Sequence, residues 1–193
     1  MNETNRTGIG FLKDQEAFDK SRPSYNKEEI LNFLKKNSIN LDKKTVVEFG
    51  AGSGKFTEIL LNQNHPLESI TLVEPDQNAV RILEEKFRGI KLINETIEDL
   101  DLDEHIKNTD YIFAMQTFHW FNVDKAADKF KSILKAKNGR LCILGRFIDF
   151  DSSEAMKKFK QITRIGKGRY ESNIDAYCDE NIMKIYGICI SYI

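Results

Sequence analysis

The stretch Val46-Val47-Glu48-Phe49-Gly50-Ala51-Gly52-Ser53-Gly54 governs the reading of the whole chain. It runs from a short apolar strand into a glycine-rich turn. The residues that follow, Lys55-Phe56-Thr57-Glu58-Ile59-Leu60-Leu61, place Phe56, Ile59 and Leu60 on one helical face. Strand, glycine turn and helix form the unit that receives a nucleotide-like ligand at the end of a parallel sheet. A backbone without Cβ atoms turns tightly and lets the ligand approach. The N–H groups that open the helix then suit an anionic group.

Several uses of such a turn can be weighed by spacing. A phosphate-cradling P-loop needs four residues between its glycines and a Ser or Thr after the Lys. Here three residues separate Gly50 from Gly54, and Phe56 follows Lys55. A dinucleotide fold wants Gly-x-Gly-x-x-Gly, whereas these glycines fall evenly at 50, 52 and 54. That spacing argues against an NAD-linked oxidoreductase, and a plain chain reversal is the bland alternative. The pattern acidic-x-Gly-x-Gly-x-Gly, led by Glu48, resembles the first motif of class I S-adenosylmethionine (SAM) methyltransferases. In that family the turn passes under the methionine part of SAM.

Composition narrows the classes further. A chain of 193 residues, 40% hydrophobic and 31% charged, suits one globular domain with one core. The net charge of −1 offers no electrostatic case for nucleic acid. The opening residues, Met1 to Arg6, lack the apolar core of a signal peptide. No apolar run approaches the roughly 20 residues of a membrane span. Cys142, Cys178 and Cys189 show neither metal-type spacing nor an even disulfide framework, so no metal is expected. They read as reduced thiols of a cytoplasmic protein, with Cys142 buried in a strand.

Taken in order, residues 11–20 suit a short helix with Phe11, Leu12 and Phe18 apolar, and Pro23 makes a bend at Arg22-Pro23-Ser24-Tyr25. Lys27 to Lys36 predicts a helix with Ile30, Leu31, Phe33 and Leu34 inward. These helices read either as decoration or as a lid. Strand 1 is Thr45–Phe49, apolar but for Glu48, which suits a central parallel strand. His65, beside Pro66 on a loop, is expected at the surface. Strand 2, Ser69–Glu74, ends at Glu74-Pro75-Asp76, where Asp76 can cap a helix from Gln77 to about Phe87. Glu74 lies twenty positions beyond Gly54. An acid there can accept from both ribose hydroxyls, and it disfavours a 2′-phosphate. The competing reading is a surface acid at a strand end.

Ile90–Ile93 predicts strand 3, and the loop after it holds Glu98 and Asp99. Either acid can accept from an adenine amino group, or can cap a helix. The charged segment 101–108 carries His105, expected to face solvent. Strand 4, Tyr111–Met115, leads into Gln116-Thr117-Phe118-His119-Trp120-Phe121. Strands alternating with helices indicate a parallel sheet whose ligands sit outside the carboxyl ends, so this aromatic loop borders the crevice of the glycine turn. Its rings can stack on a base or hold a cation such as a sulfonium, or can plug the core. At least one is expected to plug it. A helix from Val123 to about Lys137, a strand Arg140–Phe147 and a helix from Glu154 to about Ile165 complete the pattern.

Three motifs in this order, with the Arg-Pro-x-Tyr lead-in, resemble the small-molecule (type 11-like, trans-aconitate methyltransferase-like) branch of class I SAM-dependent methyltransferases. They are Glu48 to Lys55, Val73-Glu74-Pro75-Asp76 and Gln116 to Phe121. The likeness covers about residues 11–150. It implies a Rossmann-like, doubly wound, mostly parallel sheet in three α-β-α layers. It also implies one SAM-binding domain, with residues 1–40 as helical lid, 44–150 as core and 151–193 divergent. SAM is expected on Glu48, Gly50, Ala51, Gly52 and Gly54, with Glu74 and Pro75 at the ribose. Glu98 or Asp99 falls near the adenine, and Gln116 beside the methyl group. Phe18, Arg22, Tyr25, His119 and Trp120 then face the acceptor, with His119 as a candidate base.

Such domains finish with an antiparallel strand pair, whereas only 44 residues follow Asp149. Ile182–Ile193, with Gly187 as its one turn residue, supplies one strand at most. The expectation is therefore a C-terminally shortened domain whose strand 5 is left as an exposed edge, inviting a dimer. The function implied is methyl transfer from SAM to a small-molecule acceptor, such as a carboxylate, with S-adenosylhomocysteine (SAH) as product. A SAM-binding protein whose acceptor site is lost is the alternative, and an NAD-dependent oxidoreductase is the remaining one.

Overall fold

The computed structural model describes residues 24–63, 65–102, 104–134, 138–148 and 183–191. Helix α1 (Lys27–Lys36) opens at Asn26, whose side chain accepts from the N–H groups of Glu28 and Glu29. Its Ile30, Phe33 and Leu34 are buried. The expected helices at 11–20 and 154–165, and Phe18 and Arg22, lie outside the described residues.

Five strands run parallel, each end within one residue of the expected bound: β1 (Val46–Phe49), β2 (Ile70–Val73), β3 (Lys91–Ile93), β4 (Tyr111–Met115) and β5 (Arg140–Ile148). Between them lie α2 (Lys55–Leu61), α3 (Gln77–Lys86), the short α4 (Glu104–Lys107) and α5 (Val123–Leu134). β6 (Met183–Ser191) follows. The sheet order is β3-β2-β1-β4-β5-β6, with β6 alone antiparallel. Every residue of β1, β2 and β4 is buried, which is why their sequences are apolar almost without interruption.

Alternation along these strands divides the core between the sheet's two faces. Val46, Ile70, Leu72, Phe113 and Cys142 pack with residues of α1, α2 and α3. Val47, Phe49, Val73, Ile112 and Leu141 pack with Ile106 of α4 and with Ala126, Phe130, Ile133 and Leu134 of α5. The sheet is thus covered on both faces, the three-layer, doubly wound arrangement that the pattern predicts.

Two expectations are corrected. β5 is not an exposed edge. β6 pairs with it over nine residues, from Arg140 opposite Ser191 to Ile148 opposite Met183, so the backbone groups on that side of β5 are taken up. The last apolar stretch does form one strand, as its lack of turn residues implied. His65 is not a surface residue but is buried. Its Nε2 lies 2.9 Å from Ser69 Oγ, and it shares a backbone hydrogen bond with Leu41. Burial pushes its pKa below the ordinary value, against the opposing pull of that Leu41 bond. Within the charged segment, Glu104–Lys107 form α4, with Ile106 fully buried; the His105 side chain lies outside the described residues. No helix among the described residues is long and apolar enough to cross a membrane.

Candidate functional site

The chain leaves β1 toward β2 and β3 on one side and returns to place β4 on the other. The carboxyl ends of β1 and β4 therefore flank the crevice of a switch point. The glycine turn fills the β1 side. Gly50, Gly52 and Gly54 all have positive φ, at 66°, 56° and 83°. A Cβ on Gly50 would collide with Thr117 after β4, and one on Gly54 with Phe87 after α3. A Cβ on Gly52 would meet nothing within 4 Å. Two of the glycines are therefore demanded by packing, and the third faces open space.

Glu74 caps the tip of β2 and is 6% exposed. Its Oε2 accepts from the Gly52 N–H at 2.8 Å and its Oε1 from the Asp76 N–H at 2.9 Å. Each carboxylate oxygen offers about two lone pairs, so each keeps one for a further O–H donor. Burial pushes this carboxyl above the ordinary carboxylate range; the two backbone N–H groups pull it back, and Asp76 adds to the rise. Asp76 caps α3, accepting from the N–H groups of Asn78 and Ala79, as expected. Pro75 lies between the two acids.

Glu48 lies deeper, at 1% exposure, where Thr57 Oγ1 of α2 donates to its Oε2 at 2.8 Å. Burial pushes Glu48 up from 4.5 to about 8, over the lowering effect of that hydroxyl, and the Glu74 charge adds to it. This acid sits beneath the turn and ties it to the first turn of α2. Ala51 is buried in the same turn.

At the β4 tip, Gln116 adopts a φ of 56° while its N–H donates to the Leu144 carbonyl at 2.9 Å. Such a left-handed residue without Gly freedom is a local strain beside the crevice. Phe118 and Phe121 pack against the second core cluster, Phe121 edge-on to Phe49 at 6.4 Å. Both are partly buried and lean against the core rather than fill it. His119 and Trp120 face outward with ring centroids 4.8 Å apart, and Trp120 is 36% exposed. Tyr25 is half-buried against the first cluster.

Glu98 serves as a cap, whereas Asp99 caps no helix and bonds Thr96 within a turn. Glu98 Oε1 accepts from the Asn122 N–H at 2.6 Å, and Asp99 Oδ2 accepts from Thr96 Oγ1 at 2.8 Å. Three further residues shape the site without having been singled out. Thr117 meets Gly50, Asn94 Nδ2 donates to the carbonyls of Glu74 and Pro75, and Lys86 Nζ donates to the Ser53 carbonyl. Lys86 also pairs with Glu58 at 3.3 Å. Of these, Lys86 alone had a sequence cue, a cation in the last turn of the helix that follows β2.

An open parallel sheet, a glycine turn after β1 and an acid at the β2 tip define a Rossmann-like nucleotide-binding domain. Residues 47–141 match the family model described as a methyltransferase domain, and this stretch is a class I SAM-dependent methyltransferase domain. The chain is 27% identical over 142 residues to an uncharacterized methyltransferase of Schizosaccharomyces pombe, covering 74% of this chain and 54% of that protein. It is 32% identical over 127 residues to the ribosomal RNA small subunit methyltransferase A of a Hydrogenobaculum species, covering 58% and 50%. The chain thus spans about half the length of these curated relatives. Among solved structures, coclaurine N-methyltransferase bound to N-methylheliamine and SAH shares the fold. The TM-score is 0.51 at 16% identity, covering 64% of this chain and 36% of that one.

Proposed function

We propose that this chain binds SAM across the carboxyl ends of β1, β2 and β4 and transfers its methyl group to a small-molecule acceptor, releasing SAH. One observation carries the reading: a buried carboxylate, Glu74, held by the Gly52 and Asp76 N–H groups with an acceptor site left on each oxygen. Two adjacent ribose hydroxyls supply the two donors it lacks. Gly50, Ala51, Gly52 and Gly54 pass under the methionine part, and Pro75 borders the ribose. Gln116 stands beside the methyl group. The sulfonium is a cation, and an ionised Glu74 gives the crevice a matching field, whereas Glu48, raised to about 8, holds its proton at neutral pH.

Methyl transfer is an in-line displacement at carbon, and the cofactor carries its own leaving group. The protein therefore contributes position and dryness. A carboxylate acceptor needs no base; a hydroxyl or amine does, and His119 on the aromatic loop is the residue we place in that role. Trp120 lines the acceptor side. Of the expected lid at residues 1–40, α1 packs on the sheet as part of the core, so in this reading the lid is the segment before α1, Phe18 and Tyr25 closing it and Arg22 pairing an acceptor carboxylate. A cytoplasmic location fits three cysteines without an even framework.

Likeness to a ribosomal RNA methyltransferase favours one second reading, an RNA acceptor. The net charge of −1 weighs against it, because phosphate binding calls for a basic surface. Calorimetry with SAM, SAH and NADH tests the cofactor, expecting the first two to bind and NADH not to. Release of SAH is then followed with small carboxylates, amines and ribosomal RNA as acceptors. Binding of NADH in place of SAM overturns the proposal, and SAM binding without SAH release from any acceptor reduces it to a non-catalytic SAM-binding protein.

A further inference from the structure

A helix that begins with a polar cap keeps one problem: the N–H of the cap residue itself. The usual answer is a Glu or Gln at the third helical position, reaching back to that N–H. Helix α5 begins at Asn122. Its carbonyl accepts from the Ala126 N–H at 2.9 Å, and its Oδ1 accepts from the Lys125 N–H at 3.3 Å. The third helical position is Lys125, which has donors and no acceptor. The Asn122 N–H is instead taken by Glu98, which belongs to the segment after β3 and lies 24 positions earlier in the chain. A carboxylate there also suits the positive end of the helix. The same segment is tied to α5 a second time, where Lys129 Nζ donates to the Leu100 carbonyl.

We infer that Glu98 is a positioning residue that completes the α5 cap from outside the helix and so fixes how the 116–121 loop presents His119 and Trp120. The loop has two anchored ends. Gln116 N–H on Leu144 holds one, and Asn122 N–H on Glu98 holds the other. Between them the partly buried Phe118 and Phe121 pack against the second core cluster, which limits the freedom of the outward pair. The inference builds on the proposed function only in taking that pair to face the acceptor.

Trp120 is the single tryptophan of the chain, so its fluorescence reports the loop directly. In Glu98→Ala the emission shifts to the red and acrylamide quenches it more readily, while the Kd for SAH is unchanged. In Glu98→Gln, whose amide oxygen still accepts the Asn122 N–H, emission and quenching stay at wild-type values. A purely adenine-binding Glu98 predicts the reverse, a Kd for SAH raised about tenfold or more with Trp120 unaltered. Unchanged emission in Glu98→Ala overturns the inference. Should that variant not fold, a loss of SAH affinity or a Trp120 shift in Glu98→Gln overturns it equally. Failure of SAH to bind the wild type would count against the proposed function, whereas the fluorescence comparison would still decide the role of Glu98.

Discussion

The two ends of the sheet both use buried or half-buried carboxylates, and they use them in opposite ways. At the amino end, Asp110 ahead of β4 accepts from the Thr45 N–H and hydroxyl, each at 2.9 Å, and from Lys44 Nζ at 3.1 Å. Arg140 reaches from β5 to the carbonyls of Asn37 and Ser38, at 2.7 and 2.9 Å, and lies over the Tyr111 ring. These charges are satisfied by the protein itself and lock α1, β1, β4 and β5 in register. At the carboxyl end, Glu48 and Glu74 are desolvated and raised in pKa, held by the Thr57 hydroxyl and by the Gly52 and Asp76 N–H groups rather than by a cation. Desolvated acidity collects where a ligand is received, and the opposite end holds the fold together; left-handed non-Gly backbone occurs at both, at Gln116 beside the crevice and at Ser38, Lys43 and Asn138 at the amino end.

The sharpest way to break the contrast is to force the turn out of contact. Gly50→Ala drives a Cβ into Thr117 at a φ of 66°. Overpacking and left-handed strain together cost about 3 kcal/mol or more. Gly54→Ala, against Phe87, behaves alike. Urea unfolding should show the midpoint collapse, and a wild-type midpoint would mean that the turn does not rest on β4 at all.

A paired comparison of carboxylates comes next. Asp110→Ala leaves the Thr45 N–H and hydroxyl without their charged acceptor and lowers stability by about 2–3 kcal/mol. Loss of the Lys44 pair adds little, since Lys44 is largely exposed. Its SAM affinity stays at the wild-type value. Glu74→Ala is expected to weaken SAM about 100-fold through two lost hydrogen bonds to a charged acceptor. Denaturant titration and calorimetry on both variants check the pair. If Asp110→Ala loses SAM as severely as Glu74→Ala, the two ends are not functionally distinct.

Local chemistry explains which of these features could be read in advance. β1 and its turn were legible because burial on both faces demands apolar strands and left-handed backbone demands Gly. The Asp76 cap and the limits of β4 follow from equally short-range rules. Lys86 on the Ser53 carbonyl and Asn94 on the Glu74 carbonyl were hidden, because each joins segments that only tertiary folding brings together. His65 was misplaced for the same reason. A His beside Pro on a loop looks solvated, but Ser69 and Leu41 supply partners that make its burial tolerable. For Glu98 the residue type left two roles open, and the cap became visible with the position of Asn122.

Glu48 supplies a milder test through pH. In the unfolded chain it ionises near 4.5, and in the fold only near 8. Between those values the folded protein holds a proton that the unfolded chain has released, so stability falls as pH rises across the window. One proton sets a limit of about 1.4 kcal/mol per pH unit. Glu48→Gln keeps an acceptor for Thr57 and removes the titration, so its unfolding free energy should decline less than wild type between pH 5 and pH 8, taken as about the window's bounds. Parallel pH profiles for the two proteins would show that Glu48 is already ionised in the fold.

The smallest change in stability separates the three glycines most cleanly. Gly52→Ala meets no atom within 4 Å, so its cost is the left-handed strain alone, about 1 kcal/mol. Gly50 and Gly54 are glycines because the protein is close; Gly52 is open on the side where the methionine part of SAM is placed. The variant should therefore fold almost normally and yet bind SAM at least about tenfold more weakly, because the new methyl group occupies the cofactor's approach. Thermal unfolding and calorimetry on one preparation give both values. A folded Gly52→Ala with full SAM affinity would mean that the open space above the turn belongs to something other than the cofactor, and the carboxyl end would lose its claim to be the receiving end of the sheet.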